Sequence, residues 1–288
     1  MKTVRALLTR ARNLLGRETA EATLDAEVLL AHVLDRDRSW LYAWPEHVPE
    51  SDRIEAFERL LSLRLQGQPV GHLTGEREFW SLPLKVSADT LIPRPETEHL
   101  VEIALELDLP DDARVLDLGT GSGAIALALA SERPGWRITA VDRSEAALGV
   151  ARQNASDLGL TGPQWLQSDW FAALRPDLRF HLILGNPPYV AEQDPHLGLG
   201  DLRFEPRQAL ISGADGLRDI RLITAEAPVH LEAGGWLWLE HGCDQGERVQ
   251  QLLQQHEFRQ VGLRRDLAGK ERHSGGRWIP EAGPQAPG

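Results

Sequence analysis

Asn186-Pro187-Pro188-Tyr189 is the stretch of this chain whose residue types could do chemistry by position alone. Proline fixes φ and has no N–H, so the backbone is stiff there and the neighbouring carbonyls are acceptors without local donors. With the Asn186 amide they form a rigid set of acceptors. A planar NH2 group can donate one hydrogen to the Asn186 side-chain oxygen and the other to the Pro187 carbonyl, which leaves its nitrogen aimed at an electrophile. Asn and Pro are also ordinary turn residues, so the same four positions read as well as a loop that ends a strand.

Three further clusters stand where apolar runs end. Val115-Leu116-Asp117-Leu118 leads into Gly119-Thr120-Gly121-Ser122-Gly123, where glycine lets the backbone approach a ligand and the next helix points its N–H groups at it. The run from Trp136 to Val141 ends at Asp142, where an acid typically binds ribose hydroxyls. Trp165-Leu166-Gln167 ends at Ser168-Asp169-Trp170. Asp169 can accept from an adenine amino group and Trp170 can lie against the ring, although core packing is a competing use for a tryptophan. Gly119, Gly121 and Ala124 also fit the looser dinucleotide pattern, so the glycine turn alone decides little. The combination of glycine turn, acid, Asp-Trp and Asn-Pro-Pro-Tyr on successive strand ends is specific.

These clusters need a scaffold that brings strand ends to one rim. Phe180 to Gly185 is a short apolar run, so Asn186 should follow a buried strand at the end where open α/β sheets bind ligands. From Arg114 onward strands alternate with helices at 124–130, 144–154, 217–231 and 246–256, which predicts a parallel sheet covered on both faces. A strand over 235–240 and a final pair near 259–266 and 276–280 complete it.

The first seventy residues differ. Val4, Leu7, Leu8, Ala11, Leu14 and Leu15 recur at helical spacing among Lys2, Arg5, Arg10, Arg12 and Arg17, which reads as a packed helix with a basic face in preference to an organelle presequence. Further helices follow Thr23, include Ser39 to Tyr42, and start at a Ser51 cap, the last ending at Gly67-Gln68-Pro69. Glu78-Phe79-Trp80 and Leu84-Lys85-Val86, around Ser81-Leu82-Pro83, form a predicted hairpin. Leu91-Ile92-Pro93-Arg94-Pro95 then opens a helix with acids in its first turn. Arg94 is a candidate site contact and equally a salt-bridge partner for Glu96 or Glu98.

The whole chain has 288 residues, 42% hydrophobic and 26% charged, which suffices for a large core without covalent staples. Cys243 is the one cysteine, so no disulfide framework or cysteine metal site is available and a reducing cytoplasm is the expected compartment. The ten histidines lack ligand spacing, and no metal is expected. A net charge of −12, concentrated after residue 75, argues against a general nucleic-acid-binding surface. No apolar run approaches the roughly 18–20 residues of a membrane span.

Taken together, Gly71-His-Leu-Thr-Gly75, Arg77-Glu-Phe-Trp-Ser-Leu-Pro-Leu84, Leu91-Ile-Pro-Arg-Pro95, Asp117-Leu-Gly-Thr-Gly-Ser-Gly123, Gln167-Ser-Asp-Trp170, Asn186-Pro-Pro-Tyr189 and Arg203-Phe-Glu-Pro206 carry a resemblance that covers nearly the whole chain. The sequence resembles class I S-adenosylmethionine-dependent methyltransferases with an Asn-Pro-Pro-Tyr motif, and among them the bacterial peptide chain release factor N5-glutamine methyltransferases. The carboxyl end departs from the family, because Glu271 to Arg277 is followed by a Pro/Gly-rich tail.

The resemblance implies a Rossmann-like, mostly parallel seven-stranded sheet with helices on both faces, preceded by a small all-helical domain. It divides the chain into a helical recognition domain over 1–70, a connector with the hairpin over 71–97, a methyltransferase domain over 98–280 and a disordered tail over 281–288. It further implies methylation of the side-chain amide of the glutamine in the Gly-Gly-Gln motif of class 1 release factors, with S-adenosyl-L-methionine as cofactor and S-adenosyl-L-homocysteine as product. Asp117, Gly119, Thr120, Gly121, Ser122, Gly123, Asp142, Asp169, Trp170 and Asn186 would bind the cofactor. Asn186, Pro187, Pro188 and Tyr189 would bind the glutamine, with Asn186, Pro187 and Tyr189 catalytic and the Tyr189 ring toward the sulfonium. A monomer in the cytoplasm, with no membrane and no direct nucleic-acid contact, completes the expectation. The alternative is a methyltransferase of exocyclic amines in nucleic acid, whose NH2 has the same geometry.

Overall fold

The computed structural model describes residues 2–16 and 21–280. Arg17 and the tail expected to be disordered lie outside them. The chain divides into two compact units, with a boundary after Glu76 and an interior stretch, Pro195–Phe204, that belongs with the first.

The first unit contains α1 (Val4–Leu15), α2 (Ala22–Leu34), α3 (Arg38–Ala43), α4 (Ser51–Leu65) and α5 (Val70–Thr74). Val4, Leu7, Leu8, Ala11 and Leu15 of α1 are buried, so its apolar stripe packs as the spacing predicts. They close on Leu29, Leu30, Leu41, Phe57 and Leu61. Neither Thr23 nor Ser51 caps a helix: α2 begins two residues and α4 one residue earlier than such caps would allow, after Glu21 and Glu50. Thr3 does cap α1, its Oγ1 accepting from the Ala6 N–H at 3.2 Å.

Buried carboxylates tie these helices together. Glu27, 1% exposed, accepts from Arg12 Nη2 at 2.7 Å, Arg38 Nη2 at 2.9 Å and the Tyr42 hydroxyl. Burial pushes its carboxyl up, but the bonds from Tyr42, Arg38 and Arg12 outweigh that and hold it below the usual range. Arg64 bridges Asp25 (2.8 Å) and Asp201 (2.6 Å), which attaches the interior stretch to its unit.

The second unit opens with β1 (Glu76–Phe79) and β2 (Leu82–Lys85). Their turn is Trp80-Ser81, both left-handed at φ 53° and 60°, so β2 begins two residues before the predicted position. Trp80 is held in that conformation by its own bonds: its N–H donates to Glu98 Oε1 and its indole Nε1–H to Glu132 Oε1, each at 2.8 Å.

After α6 (Glu98–Glu106) come β3 (Arg114–Leu118), α7 (Ala124–Glu132), β4 (Arg137–Asp142), α8 (Glu145–Asp157), β5 (Gln164–Gln167), β6 (Phe180–Gly185), α9 (Arg218–His230), β7 (Leu231–Glu240), α10 (Gly246–Gln255), β8 (Phe258–Arg265) and β9 (Glu271–Trp278). The seven strands of the large sheet run in the order β5-β4-β3-β6-β7-β9-β8. Strands β3 to β7 pair in parallel, and β9 runs antiparallel to both its neighbours. Alternate residues face opposite layers. Val115, Leu182, Leu184 and Trp238 pack with α6 and α7. Leu116, Leu118, Ile183, Leu237 and Leu239 pack with α9 and α10.

Strand β9 starts five residues before the predicted 276, at Glu271. Gly275 and Gly276 look like strand breakers, yet both are strand residues: a Cβ on Gly276 would meet that of Phe258 at 3.0 Å, and the space above Gly275 is occupied by the Trp238 indole. A Cβ on Gly275 would lie 2.1 Å from that ring. The order of the strands reverses between β3 and β6, so the crevice at their carboxyl ends is the position for a ligand.

Candidate active site

The turn between β3 and α7 is built on three left-handed glycines, Gly119, Gly121 and Gly123. A Cβ on Gly119 would meet the Trp170 ring at 3.4 Å, whereas Gly121 faces open space. The turn is therefore walled on one side by the indole and open on the other. Asn154 of α8 holds it from behind, donating from Nδ2 to the carbonyls of Ser122 (2.9 Å) and Lys85 (3.0 Å).

Asp142, at the end of β4, is already engaged with the turn. Its Oδ2 accepts from the Gly121 N–H and its Oδ1 from the Ser144 N–H, both at 2.9 Å. Ser144 Oγ in turn caps α8, accepting from Ala147 N at 3.2 Å. One carboxylate thus fixes the glycine turn and the start of the next helix while facing the crevice.

Asp117 is placed differently. It is fully buried under the turn, where Thr120 Oγ1 donates to its Oδ2 at 2.6 Å and its Oδ1 makes no hydrogen bond. Burial pushes its carboxyl up to about 7, against the smaller opposing effect of the Thr120 hydroxyl. Below about pH 4 the group is protonated in both folded and unfolded chains, so it carries no penalty there. As pH rises toward 7 the unfolded chain ionises first, and folding loses stability until the folded group also ionises. The loss is on the order of a few kcal/mol. Asp117→Asn cannot ionise, so its stability relative to the parent chain is expected to rise between pH 4 and 7. Urea midpoints of both proteins across that range measure this, and a pH-independent difference would refute the assignment.

At the end of β5, Ser168 Oγ donates to the Trp170 carbonyl at 2.8 Å and accepts from Ala173 N at 3.0 Å, which holds Trp170 at φ 49°. Trp170 is half-buried against the α9 side of the core and also lines the crevice. Asp169 is exposed at the rim.

Asn186 follows β6 directly, its Nδ2 donating to Thr97 Oγ1 at 3.1 Å. Thr97 in turn donates to Glu240 Oε2 at 2.6 Å, and Tyr189 donates from its hydroxyl to Glu240 Oε1 at 3.2 Å. Burial, reinforced by the Glu240 charge, pushes the Tyr189 phenol far above its ordinary range, so it stays protonated and donates. The Asn186 side-chain oxygen and the Pro187 carbonyl receive no donor from the described residues.

One crevice gathers Gly119, Thr120, Gly121, Ser122, Asp142, Asp169, Trp170, Asn186 and Pro188. Asp117, Gly123, Pro187 and Tyr189 are not on its surface. Asp117 lies beneath the turn and the Tyr189 hydroxyl is turned to Glu240. Arg94 does line it, but its partner is Glu205, not Glu96 or Glu98. Glu205, with no exposed side-chain surface, also accepts from the Ile92 N–H at 3.2 Å, which joins Ile-Pro-Arg-Pro to Glu205-Pro206. Thr97 and Glu240 were not singled out by the sequence. The available signal was a carboxylate ending the apolar strand Trp236-Leu-Trp-Leu-Glu240 on the same rim as Asp142.

Residues 97–205 match the family model described as methyltransferase small domain. The solved T. thermophilus 16S rRNA N2 G1207 methyltransferase, in complex with AdoMet and guanosine, superposes with a TM-score of 0.50 at 20% identity, over 70% of this chain and 49% of that one. A seven-stranded sheet with one reversed strand, a glycine turn after β3 and Asn-Pro-Pro-Tyr after β6 make this a class I methyltransferase. Residues 6–75 match the model described as PrmC N-terminal domain. The release factor glutamine methyltransferase of Pseudomonas aeruginosa is 51% identical over 91% of this chain and 94% of its own length, and that of Vibrio cholerae 47% over 97% and 98%. The chain belongs to the release factor glutamine methyltransferase family.

Proposed function

We infer that this chain transfers a methyl group from S-adenosylmethionine to the side-chain amide nitrogen of the glutamine in the Gly-Gly-Gln motif of class 1 release factors. The observation that carries the reading is the Asn186 amide, which lines the same crevice as the glycine turn and keeps its oxygen free of donors. An exocyclic amine of a nucleic-acid base would present the same NH2, and the membership of the family favours the protein substrate.

The crevice fits the cofactor. The open face at Gly121 leaves room against the turn, Asp142 faces ribose hydroxyls, the Trp170 indole offers a surface to adenine, and Asp169 can accept from its amino group. S-adenosylmethionine supplies, when bound, an electrophilic methyl on a sulfonium, leaving S-adenosylhomocysteine. The protein's part is alignment, because an amide nitrogen is a poor nucleophile whose lone pair is delocalised into its carbonyl. Asn186 Oδ1 would accept one N–H and the Pro187 carbonyl, just outside the crevice lining, the other, which favours the positive charge that develops on nitrogen as the methyl–sulfur bond breaks; the methylated nitrogen then loses one of its protons to water. Pro188 walls the glutamine, and Tyr189 supports the segment from behind through Glu240.

Among the described residues no helix is long and apolar enough to cross a membrane, and no group of His, Cys, Asp or Glu is placed to hold a metal ion. The single cysteine, Cys243, supports a reducing cytoplasm as the compartment we propose. The helical unit is the protein's recognition element. Substitutions confined to that unit are expected to lower methylation of intact release factor and to spare a short Gly-Gly-Gln peptide; equal losses on both substrates would refute this role.

The central test is incubation of the purified chain with release factor and labelled S-adenosylmethionine, followed by mass mapping. Label on the glutamine of Gly-Gly-Gln is the expected result, and label only on nucleic acid would overturn it. Trp170→Ala is expected to keep the fold and weaken cofactor binding by about 1–2 kcal/mol of ring contact, read by calorimetric titration. An unfolded variant would make Trp170 a core residue only.

A further inference from the structure

An asparagine amide has two nearly equal-sized ends, one an acceptor and the other a double donor, so its direction is set by its neighbours. For Asn186 that neighbour is Thr97 Oγ1, 3.1 Å from Nδ2. A hydroxyl can give or take, and by itself would leave the amide free to point either way. Thr97 has one hydrogen, however, and Glu240 Oε2 lies 2.6 Å away. A carboxylate oxygen only accepts. The Thr97 hydrogen is therefore committed to Glu240, its lone pair must take a hydrogen from Asn186, and the Asn186 oxygen is turned toward the crevice.

Glu240 is 1% exposed, its other oxygen takes the Tyr189 hydroxyl at 3.2 Å, and the His273 imidazole lies 3.7 Å from Oε2. We propose that Thr97 and Glu240 are positioning residues that fix the polarity of the Asn186 amide, so that it meets the substrate NH2 as an acceptor. Thr97 is at the crevice wall, and Glu240 is not part of the crevice lining. A reversed amide would set donor against donor. The proposal rests on the reading of Asn186 as the acceptor for the substrate amide.

The test uses the full chain and compares Thr97→Val, Thr97→Ser, Glu240→Gln and the double variant Thr97→Val/Glu240→Gln. Turnover, the KM for release factor, cofactor affinity and thermal stability are measured on each. Valine keeps the shape and loses the hydroxyl, so kcat is expected to fall roughly 10–100-fold, as for other groups that orient a reacting one. KM and cofactor affinity should move little, and serine should restore kcat to within a few-fold. Glu240→Gln offers Thr97 either end of an amide, so it should slow turnover as well, and the double variant should be no worse than the slower single one. Normal kcat in a folded Thr97→Val, or a serine that fails to restore it, overturns the proposal. If Glu240→Gln does not fold, the Thr97 pair decides alone. Slow Asn186→Ala with normal Thr97→Val sinks only this inference, whereas normal Asn186→Ala sinks the reading beneath it.

Discussion

Asn186→Ala is expected to slow methyl transfer by roughly 10²–10³, equivalent to about 2.7–4 kcal/mol, by comparison with removal of one aligned donor from an oxyanion hole. The loss falls on kcat because the Asn186 oxygen is needed most when the substrate nitrogen gains positive charge. Cofactor affinity should change far less, since Asp142, Asp169 and Trp170 sit at the ends of other strands. Asn186→Asp is a finer probe: it keeps an acceptor but adds charge beside the sulfonium, where it can hold the ground state too well. In that variant Thr97 would also face two acceptors, Glu240 on one side and the new carboxylate on the other. Single-turnover rates and cofactor affinity belong on the same preparations. A near-normal rate for Asn186→Ala would reduce the Asn-Pro-Pro-Tyr segment to a strand-ending loop.

Asp142→Ala is expected to cost cofactor affinity, at about 1.5–3 kcal/mol for each charge-assisted bond to the ribose. The structure adds a second contribution, because the same carboxylate holds the N–H groups of Gly121 and Ser144. The variant should therefore also loosen the glycine turn and show a modest fall in melting temperature without ligand. At saturating cofactor, kcat should return toward the parent value, since the carboxylate does not touch the reacting nitrogen. Calorimetry with S-adenosylhomocysteine gives the affinity, and an unchanged value would sink the assignment.

Local chemistry was legible in the chain, and long-range pairing was not. The strand ends at Asp142, Trp170 and Asn186 could be placed because apolar runs bounded by turn residues announce buried strands, and a parallel sheet sends those ends to one rim. Thr97 and Glu240 are 143 positions apart, and nothing in either neighbourhood points to the other. Arg94 was weighed against its sequence neighbours, but its carboxylate comes from Glu205, 111 positions on. Gly275 and Gly276 mislead for a related reason. Glycine inside a strand is unfavourable on its own, and only residues of the neighbouring strands, the Trp238 indole at Gly275 and Phe258 with Val261 at Gly276, explain why a side chain is crowded out. The interior stretch Pro195–Phe204 joins the helical unit through Asp201 and Arg64, a pair that no local pattern announces.

The two outermost strands of the large sheet carry unpaired backbone groups that could template another chain. At one side β5 is only four residues long, with Gln164 and Gln167 exposed at its ends, so it offers little length to copy. At the other, β8 slips register between Arg259 and Gly262, with Gln260 left-handed at φ 50°, and exposes Arg259, Arg264 and Arg265 along its course. A bulged strand fringed with cations is a poor surface for a second sheet to zip onto. The sheet that carries the crevice is thus protected at both margins against self-association during synthesis, and straightening β8 while neutralising its arginines would make aggregation the first symptom.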